Sequence, residues 1–74
     1  MNKYIKIGDN LINVNNITYI EEKHDTSTEY NHLSNKPVRY HFMTSTIYFT
    51  GGSKLVLKGM PLIELERLLY GRNY

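Results

Sequence analysis

The side chains most capable of acid–base or metal chemistry lie in the middle of the sequence. His24, His32 and His41 are the only histidines, and Asp25 and Glu29 lie among them. The histidine spacings match no compact metal-binding motif, and the chain has no cysteine to supply a thiolate ligand. A zinc site also needs ligands that are held in place by neighbouring hydrogen bonds. We therefore predict no metal site.

The same stretch contains pairs that resemble catalytic groups. His24 with Asp25, or Ser27 with His32, could supply a general base or a nucleophile. However, no nucleophile elbow, phosphate-binding loop or pair of carboxylates surrounds them. The Gly51-Gly52 pair lacks the other residues of a phosphate loop and precedes a predicted strand. We predict that the protein is not an enzyme and has no catalytic residue or cofactor.

Cationic and aromatic residues together form a more informative set. Lysine and arginine bind phosphates, while tyrosine and histidine rings stack on bases, a combination used to bind nucleotides and single strands. An ordinary solvated sheet face that carries lysines is the alternative interpretation. The ligand-binding residues that this pattern predicts are His24, Tyr30, His32, Lys36, Arg39, Tyr40, His41, Lys54 and Lys58.

Composition limits the choice of partners and of cellular location. The net charge of +2 favours an anionic partner only weakly. The first residues are polar and no long apolar run occurs. We therefore expect neither a signal peptide nor a transmembrane helix, and we predict a cytoplasmic protein without membrane contact.

A β-hairpin centred on Gly51-Gly52 is the clearest structural pattern. The flanking runs at 47–49 and 55–57 are rich in strand-forming residues, and glycine adopts the positive φ that tight turns require. A three-residue loop at 51–53 would pair Phe49 with Leu55 and Ile47 with Leu57. This register places the apolar residues on one face of the hairpin, so we predict it.

An amphipathic helix is predicted after Gly59, with Pro61 in its first turn. Helical periodicity places Leu62, Leu65, Leu68 and Leu69 in one stripe that covers the sheet. Ile63 and Tyr70 lie together on nearly the opposite side. They are either partly exposed or form an oligomer interface, and we predict the interface at Ile63 and Tyr70.

The rest of the chain reads as strands and one long loop. Short strands at 4–7, 11–14 and 17–23 are separated by turn residues and suggest an antiparallel meander. Residues 25–37 are almost entirely polar and predict a loop, either functional or disordered. A strand follows at 38–50, but Tyr40 and Phe42 occupy even positions, whereas Ile47 and Phe49 occupy odd ones. A bulge within residues 43–46 would bring both sets inward, so we predict one there.

These elements predict a single α+β domain over residues 1–74, with a small antiparallel sheet of about five strands and one C-terminal amphipathic helix. A core of this size contributes only about 3–5 kcal/mol. Without cysteine the chain has no disulfide to add stability. We therefore predict a homo-oligomer.

Three segments carry a resemblance to known domains: NITYIE at 16–21, IYFTGGSK at 47–54, and KGMPLIELE at 58–66. They resemble the start of LytTR-type DNA-binding domains, the FlbD-type flagellar family, and similar short β-rich bacterial and phage proteins. The resemblance implies strands followed by a helix. LytTR-type domains continue past this helix with a basic segment that contributes to DNA contact, whereas this sequence ends at Tyr74, so no DNA-contacting residue is carried over.

Three functions remain open from the sequence. The first is a non-enzymatic oligomeric module that binds an anionic nucleotide or nucleic acid. The alternative is a phage-type interaction module or inhibitor that docks on a host protein through exposed strand edges and the Ile63/Tyr70 patch. The third is a LytTR-like regulator that binds duplex DNA.

Overall fold

Two antiparallel sheets and one C-terminal helix make up residues 3–71, the part of the chain that the computed structural model describes. The predicted α+β class, with five strands and one C-terminal helix, is confirmed for this range. In chain order the elements are β1 (Tyr4–Ile7), β2 (Asn10–Asn13), a 3-10 turn (Val14–Asn16), β3 (Ile17–Tyr30), β4 (Pro37–Phe49), β5 (Lys54–Lys58) and α1 (Leu62–Tyr70).

The strands form two sheets, so the prediction of one five-stranded sheet is wrong. Among residues 3–71, strands β1 and β2 pair only with each other, and the second sheet has the order β3-β4-β5. The side chain of Asn13 accepts a hydrogen bond from the backbone N–H of Asn15 at 3.1 Å, which starts the 3-10 turn. The carbonyl of Asn16 then accepts the Thr50 N–H at 2.8 Å. The turn therefore directs β3 toward β4 instead of folding it back on β2.

The long loop predicted at 25–37 is much shorter in the structure. Strand β3 continues to Tyr30 and β4 begins at Pro37, which leaves residues 31–36 as the connection. Thr26, Ser27 and Thr28 each pair with a residue of β4. They are polar because both faces of this part of the hairpin contact solvent, and polarity was the feature that suggested a loop.

Strand β4 is continuous, and the bulge predicted within residues 43–46 does not occur. Its pairing with β3 is regular from Tyr48 to Pro37, and the irregularity lies in β3, between Ile17 and Tyr19. The two sets of apolar residues on β4 point to opposite faces. No inward bend is needed, because Tyr40 and Phe42 lie beyond the region that the helix covers.

The β4–β5 hairpin has the predicted face but a different register. Ile47 pairs with Leu55, and Ser45 pairs with Leu57. The turn is closed by a hydrogen bond of 3.1 Å from the Gly52 N–H to the Phe49 carbonyl, and Gly51 has a φ of 98°, as the third residue of a type II turn requires. Since the register differs by two residues from the predicted one, the same side chains still face the core.

The core lies between the two sheets and the helix. Its buried apolar residues are Ile7, Ile12, Ile47, Leu65 and Leu69. Half-buried side chains pack around this centre, namely Ile5, Val14, Ile17, Ile20, Phe49, Leu55, Leu57 and Met60. The predicted contact between the apolar hairpin face and the helix is confirmed. The predicted stripe is wrong at Leu68, which is 46% exposed.

Two side chains of the sheet fix the start of the helix. Glu22 accepts a hydrogen bond from the Leu62 N–H at 2.7 Å, and the Ser45 hydroxyl donates to the Met60 carbonyl at 2.7 Å. Pro61 has an extended conformation and directly precedes the helix. These contacts hold α1 against one face of the three-stranded sheet.

The molecule is strongly elongated. It measures 55 × 30 × 20 Å and has a radius of gyration of 15.7 Å, whereas a compact domain of this length has about 11 Å. The difference arises from β3 and β4, which extend well beyond β5.

Candidate binding surfaces

The three-stranded sheet has two unlike faces. Directly paired residues of antiparallel strands point to the same side, so each cross-strand row belongs to one face. The helix face, which carries α1, includes the rows Ile20-Ile47-Leu55 and Glu22-Ser45-Leu57. The open face includes the rows Tyr19-Tyr48-Lys54, Glu21-Thr46-Val56 and Lys23-Thr44-Lys58.

Beyond the end of β5, strands β3 and β4 continue as a two-stranded arm. We define the arm as the pairs from His24–Met43 to Tyr30–Pro37, with the connecting residues 31–36. A two-stranded hairpin without a packed face is only marginally stable in water. A partner that covers the arm would therefore stabilise its folded conformation.

The structure divides the predicted ligand-binding residues among three places. On the helix-face side of the arm lie His24, Tyr30, Arg39 and His41. On the open face lie Tyr40, Lys54 and Lys58. In the connection at the tip lie His32 and Lys36. The sheet thus separates Arg39 and His41 from Lys54 and Lys58, so the nine residues do not converge on one site.

The imidazoles of His24 and His41 stack on the helix-face side of the arm. Their ring centroids are 5.2 Å apart and their planes differ by 18°. Arg39 lies two residues from His41 on the same face. Within residues 3–71 no group of three or more histidine, aspartate or glutamate side chains is placed to hold a metal ion.

Aromatic rings on the open face are held by partners within the chain. The rings of Tyr19 and Tyr48 stack with centroids 4.3 Å apart and an interplanar angle of 13°. The ammonium of Lys58 lies 5.3 Å from the centroid of the Phe42 ring, in a cation–π contact. One side of each ring is therefore already occupied by a partner within the chain.

Tyr48 has an altered acidity on this face. Partial burial raises the pKa of its phenol, and the negative charge of Glu21, with which it hydrogen-bonds, raises it further. Glu21 also lies 3.6 Å from the ammonium of Lys23. The tyrosine consequently stays neutral at pH values where an isolated phenol begins to ionise.

Thr44 is an unusual residue of the open face. It is only 7% exposed, and its hydroxyl has no hydrogen-bond partner within the described range. Its row neighbours are Lys23 and Lys58. A buried hydroxyl without a partner costs about 1–3 kcal/mol.

A groove of about 380 Å³ runs between the start of β3 and the helix. Its lining residues are Ile17, Thr18, Tyr19, Ile20, Leu62, Glu66 and Tyr70. Of the predicted interface pair, Tyr70 lines this groove and Ile63 does not. Both side chains are about half exposed, at 47% and 48%.

The outer edge of β3 is a feature that the sequence did not reveal. Within residues 3–71 no strand pairs with this edge, because β3 is the last strand of its sheet. Its ladder with β4 is regular from Tyr19 to Tyr30. The alternation of β-branched and polar residues around Thr26 and Thr28 was the available signal for a strand here.

No helix among residues 3–71 is long and apolar enough to cross a membrane. No known protein family, curated protein or solved structure matches this chain. The resemblance to LytTR-type and FlbD-type proteins therefore stays a prediction.

Proposed function

We propose that the protein is a non-enzymatic interaction module whose open face, including the part of that face that lies on the strands of the arm, docks on another protein. One observation carries this proposal: no element of residues 3–71 covers the open face, although that face presents large apolar and aromatic side chains. Its exposed members are Tyr19, Val38, Tyr40 and Val56. Tyrosine-rich surfaces of this kind are typical of protein interfaces.

Charge distribution favours a protein over a nucleic acid on this face. Three acidic residues of β3 lie there, namely Glu21, Asp25 and Glu29. Three lysines accompany them, namely Lys23, Lys54 and Lys58. The face is therefore balanced in charge, whereas a nucleic-acid surface is predominantly basic. Mixed charges around tyrosines suit a polar interface rim.

The proposal is tested by capturing a partner from a host lysate with the immobilised protein. We expect a stoichiometric protein partner that survives nuclease and high salt. Tyr40→Asp should abolish this capture, because it places a charge beside Val38 in the exposed apolar part of the arm. Leu33→Asp is the matched control, since Leu33 is 98% exposed at the tip and belongs to neither face. Loss of capture on nuclease treatment, or full capture by Tyr40→Asp, would contradict the proposal.

Nucleic-acid binding by the arm is the second candidate, and a different observation favours it. The helix-face side of the arm combines the His24–His41 stack with Arg39, and Lys36 lies at the tip. A two-stranded β-ribbon fits the major groove of duplex DNA. Its cations would contact phosphates.

This candidate is tested by titrating labelled single-stranded DNA, duplex DNA, RNA and dinucleotides at low salt. Binding should weaken steeply as salt rises, because phosphate contacts release counterions. Replacing Arg39 by alanine should reduce affinity and the salt dependence together, while the same change at Lys6, on β1, should not. A preference for duplex DNA would favour the LytTR-like alternative. Absence of saturable binding to all four ligands would exclude this candidate.

A further inference from the structure

The outer edge of β3 is a regular template for another strand. Its backbone groups face away from β4 and are paired with no strand of residues 3–71. Strand β3 contains neither proline nor glycine, and its one irregularity lies at the beginning, between Ile17 and Tyr19. Long edges without such interruptions pair readily with other chains.

We propose that a second copy of this chain pairs with this edge, β3 against β3 and antiparallel, about a two-fold axis through His24. The two sheets then form one continuous six-stranded sheet, since each copy supplies three strands. The inference does not depend on the proposed function, because it uses the strand edge and leaves the open face uncovered.

The charges of β3 exclude most other registers. A two-fold axis perpendicular to the sheet must lie midway between one residue of the strand and its own copy, because only then do facing residues point to the same side. An axis that relates a residue to its own copy in this way is called an axis through that residue. An axis through Glu21, Glu22, Lys23 or Asp25 places that charge directly opposite its own copy, which is destabilising. An axis through Ser27 sets Asp25 opposite a like charge, Glu29 of the second copy.

Axes through His24, Thr26 and Thr28 remain within this charged part of the strand. The axis through His24 places Lys23 opposite Asp25 of the second copy, and does so twice by symmetry. It also overlaps the strands from Tyr19 to Glu29. An axis through Thr26 sets Lys23 opposite Glu29 of the second copy but gives a shorter overlap, and an axis through Thr28 gives a shorter one still, so the longest register is favoured.

The groove beside the helix supplies an independent argument for the axis through His24. In this register the regular overlap ends with Glu29 of the second copy opposite Tyr19, which lines the groove, so Tyr30 of the second copy follows beside the groove. Tyr30 shares the helix-face side of the arm and is 67% exposed in the single chain. The groove of about 380 Å³ can accept its ring beside Leu62 and Tyr70. With the axis through Thr26, Tyr30 would instead lie opposite Glu22, away from the groove.

Disulfide cross-linking tests the register directly, because the natural chain has no cysteine. Facing Cα atoms of paired strands are about 4.5–5.5 Å apart, which is within the range of a disulfide. His24→Cys should therefore form a covalent dimer under mild oxidation. Thr28→Cys is the matched control, since its two copies would be about 27 Å apart at a rise of about 3.4 Å per residue.

Sedimentation equilibrium provides a second measurement, the dimer dissociation constant, on variants into which no cysteine is introduced. Lys23→Asp and Asp25→Lys should each raise the dimer dissociation constant roughly tenfold or more, because each creates two like-charge pairs. The combined exchange should restore dimerisation. Tyr30→Ala should weaken the dimer, whereas Leu33→Ala should leave it unchanged.

These outcomes decide the inference. Cross-linking of His24→Cys but not Thr28→Cys, together with rescue by the charge exchange, supports it. Equal cross-linking of the two variants, or a monomeric natural chain at micromolar concentration, overturns it. If His24→Cys does not fold, absence of rescue by the charge exchange also overturns it. Dimerisation without any captured partner would refute the proposed function while leaving this inference intact.

Discussion

The contact between Glu22 and the start of α1 gives the sharpest stability prediction. The Glu22 carboxylate accepts the Leu62 N–H at 2.7 Å and so supplies a side-chain acceptor for the helix start, which Pro61 at the N-cap does not. Loss of a capping acceptor costs about 0.5–2 kcal/mol. A negative charge near a helix N-terminus adds about 0.3–1 kcal/mol.

Glu22→Ala removes both contributions, and we expect a loss of about 1–2 kcal/mol in the free energy of unfolding. This value lies in the lower half of the sum of the two contributions, because the Glu22 side chain is exposed. Glu22→Gln keeps an oxygen acceptor and should lose about 0.5 kcal/mol. For a domain of this size, a loss of 1–2 kcal/mol lowers the melting temperature by roughly 5–15 °C.

Urea unfolding followed by circular dichroism measures these differences, because the chain has no tryptophan to report by fluorescence. Measurements at two protein concentrations separate folding from association. Glu29→Ala is the matched control, since this exposed carboxylate lies on the arm, away from the helix. An unfolding free energy of Glu22→Ala within about 0.3 kcal/mol of the natural chain would refute the assigned role of this contact.

Three further predictions concern the sheet. Ile47→Ala should cost about 2–5 kcal/mol and leave the chain largely unfolded, because Ile47 is fully buried in a small core; circular dichroism at 25 °C checks this. Thr44→Val should raise the urea midpoint, since it removes a buried hydroxyl that has no partner in the described part of the chain; a lower midpoint would reveal a hidden partner. The folded chain raises the pKa of the Tyr48 phenol, so the contribution of the neutral phenol to the free energy of unfolding is complete below pH 10.0 and is lost as pH rises through the pKa of the folded state. Tyr48→Phe should abolish this loss of stability at alkaline pH. Urea unfolding measures the stability, and tyrosinate absorbance measures the ionisation of the phenol.

The hydrophobic pattern was sufficient to predict the hairpin face and the helix. Ile47, Leu55 and Leu65 face one another because strand parity and helical periodicity are set by local sequence. The hydrophobic pattern cannot reveal that the observed β4–β5 register differs by two residues from the predicted one. A shift of two residues keeps every side chain on its face, so only the turn geometry distinguishes the two registers.

The arm could not be predicted in the same way, because neither of its faces is buried. A strand with solvent on both sides has no need of apolar alternation, and Thr26 to Thr28 therefore resembles a loop. Because β4 has no bulge, the predicted ligand-binding residues lie on different faces of the sheet. A bulge within residues 43–46 would have placed Arg39 and His41 on the face of Lys54 and Lys58, whereas the continuous strand places them opposite.

The arm has a consequence for how this protein can vary in length. None of the buried apolar residues in the described part of the chain belongs to the arm, so the length of the arm is independent of the core. Removing two residues from each strand would shorten its reach by about 7 Å and keep every remaining side chain on its face. Removing one residue from a single strand would exchange the faces of all residues beyond it. Insertions and deletions in the arm should therefore affect β3 and β4 equally and comprise two residues per strand. The arm can then vary in length while the core stays unchanged.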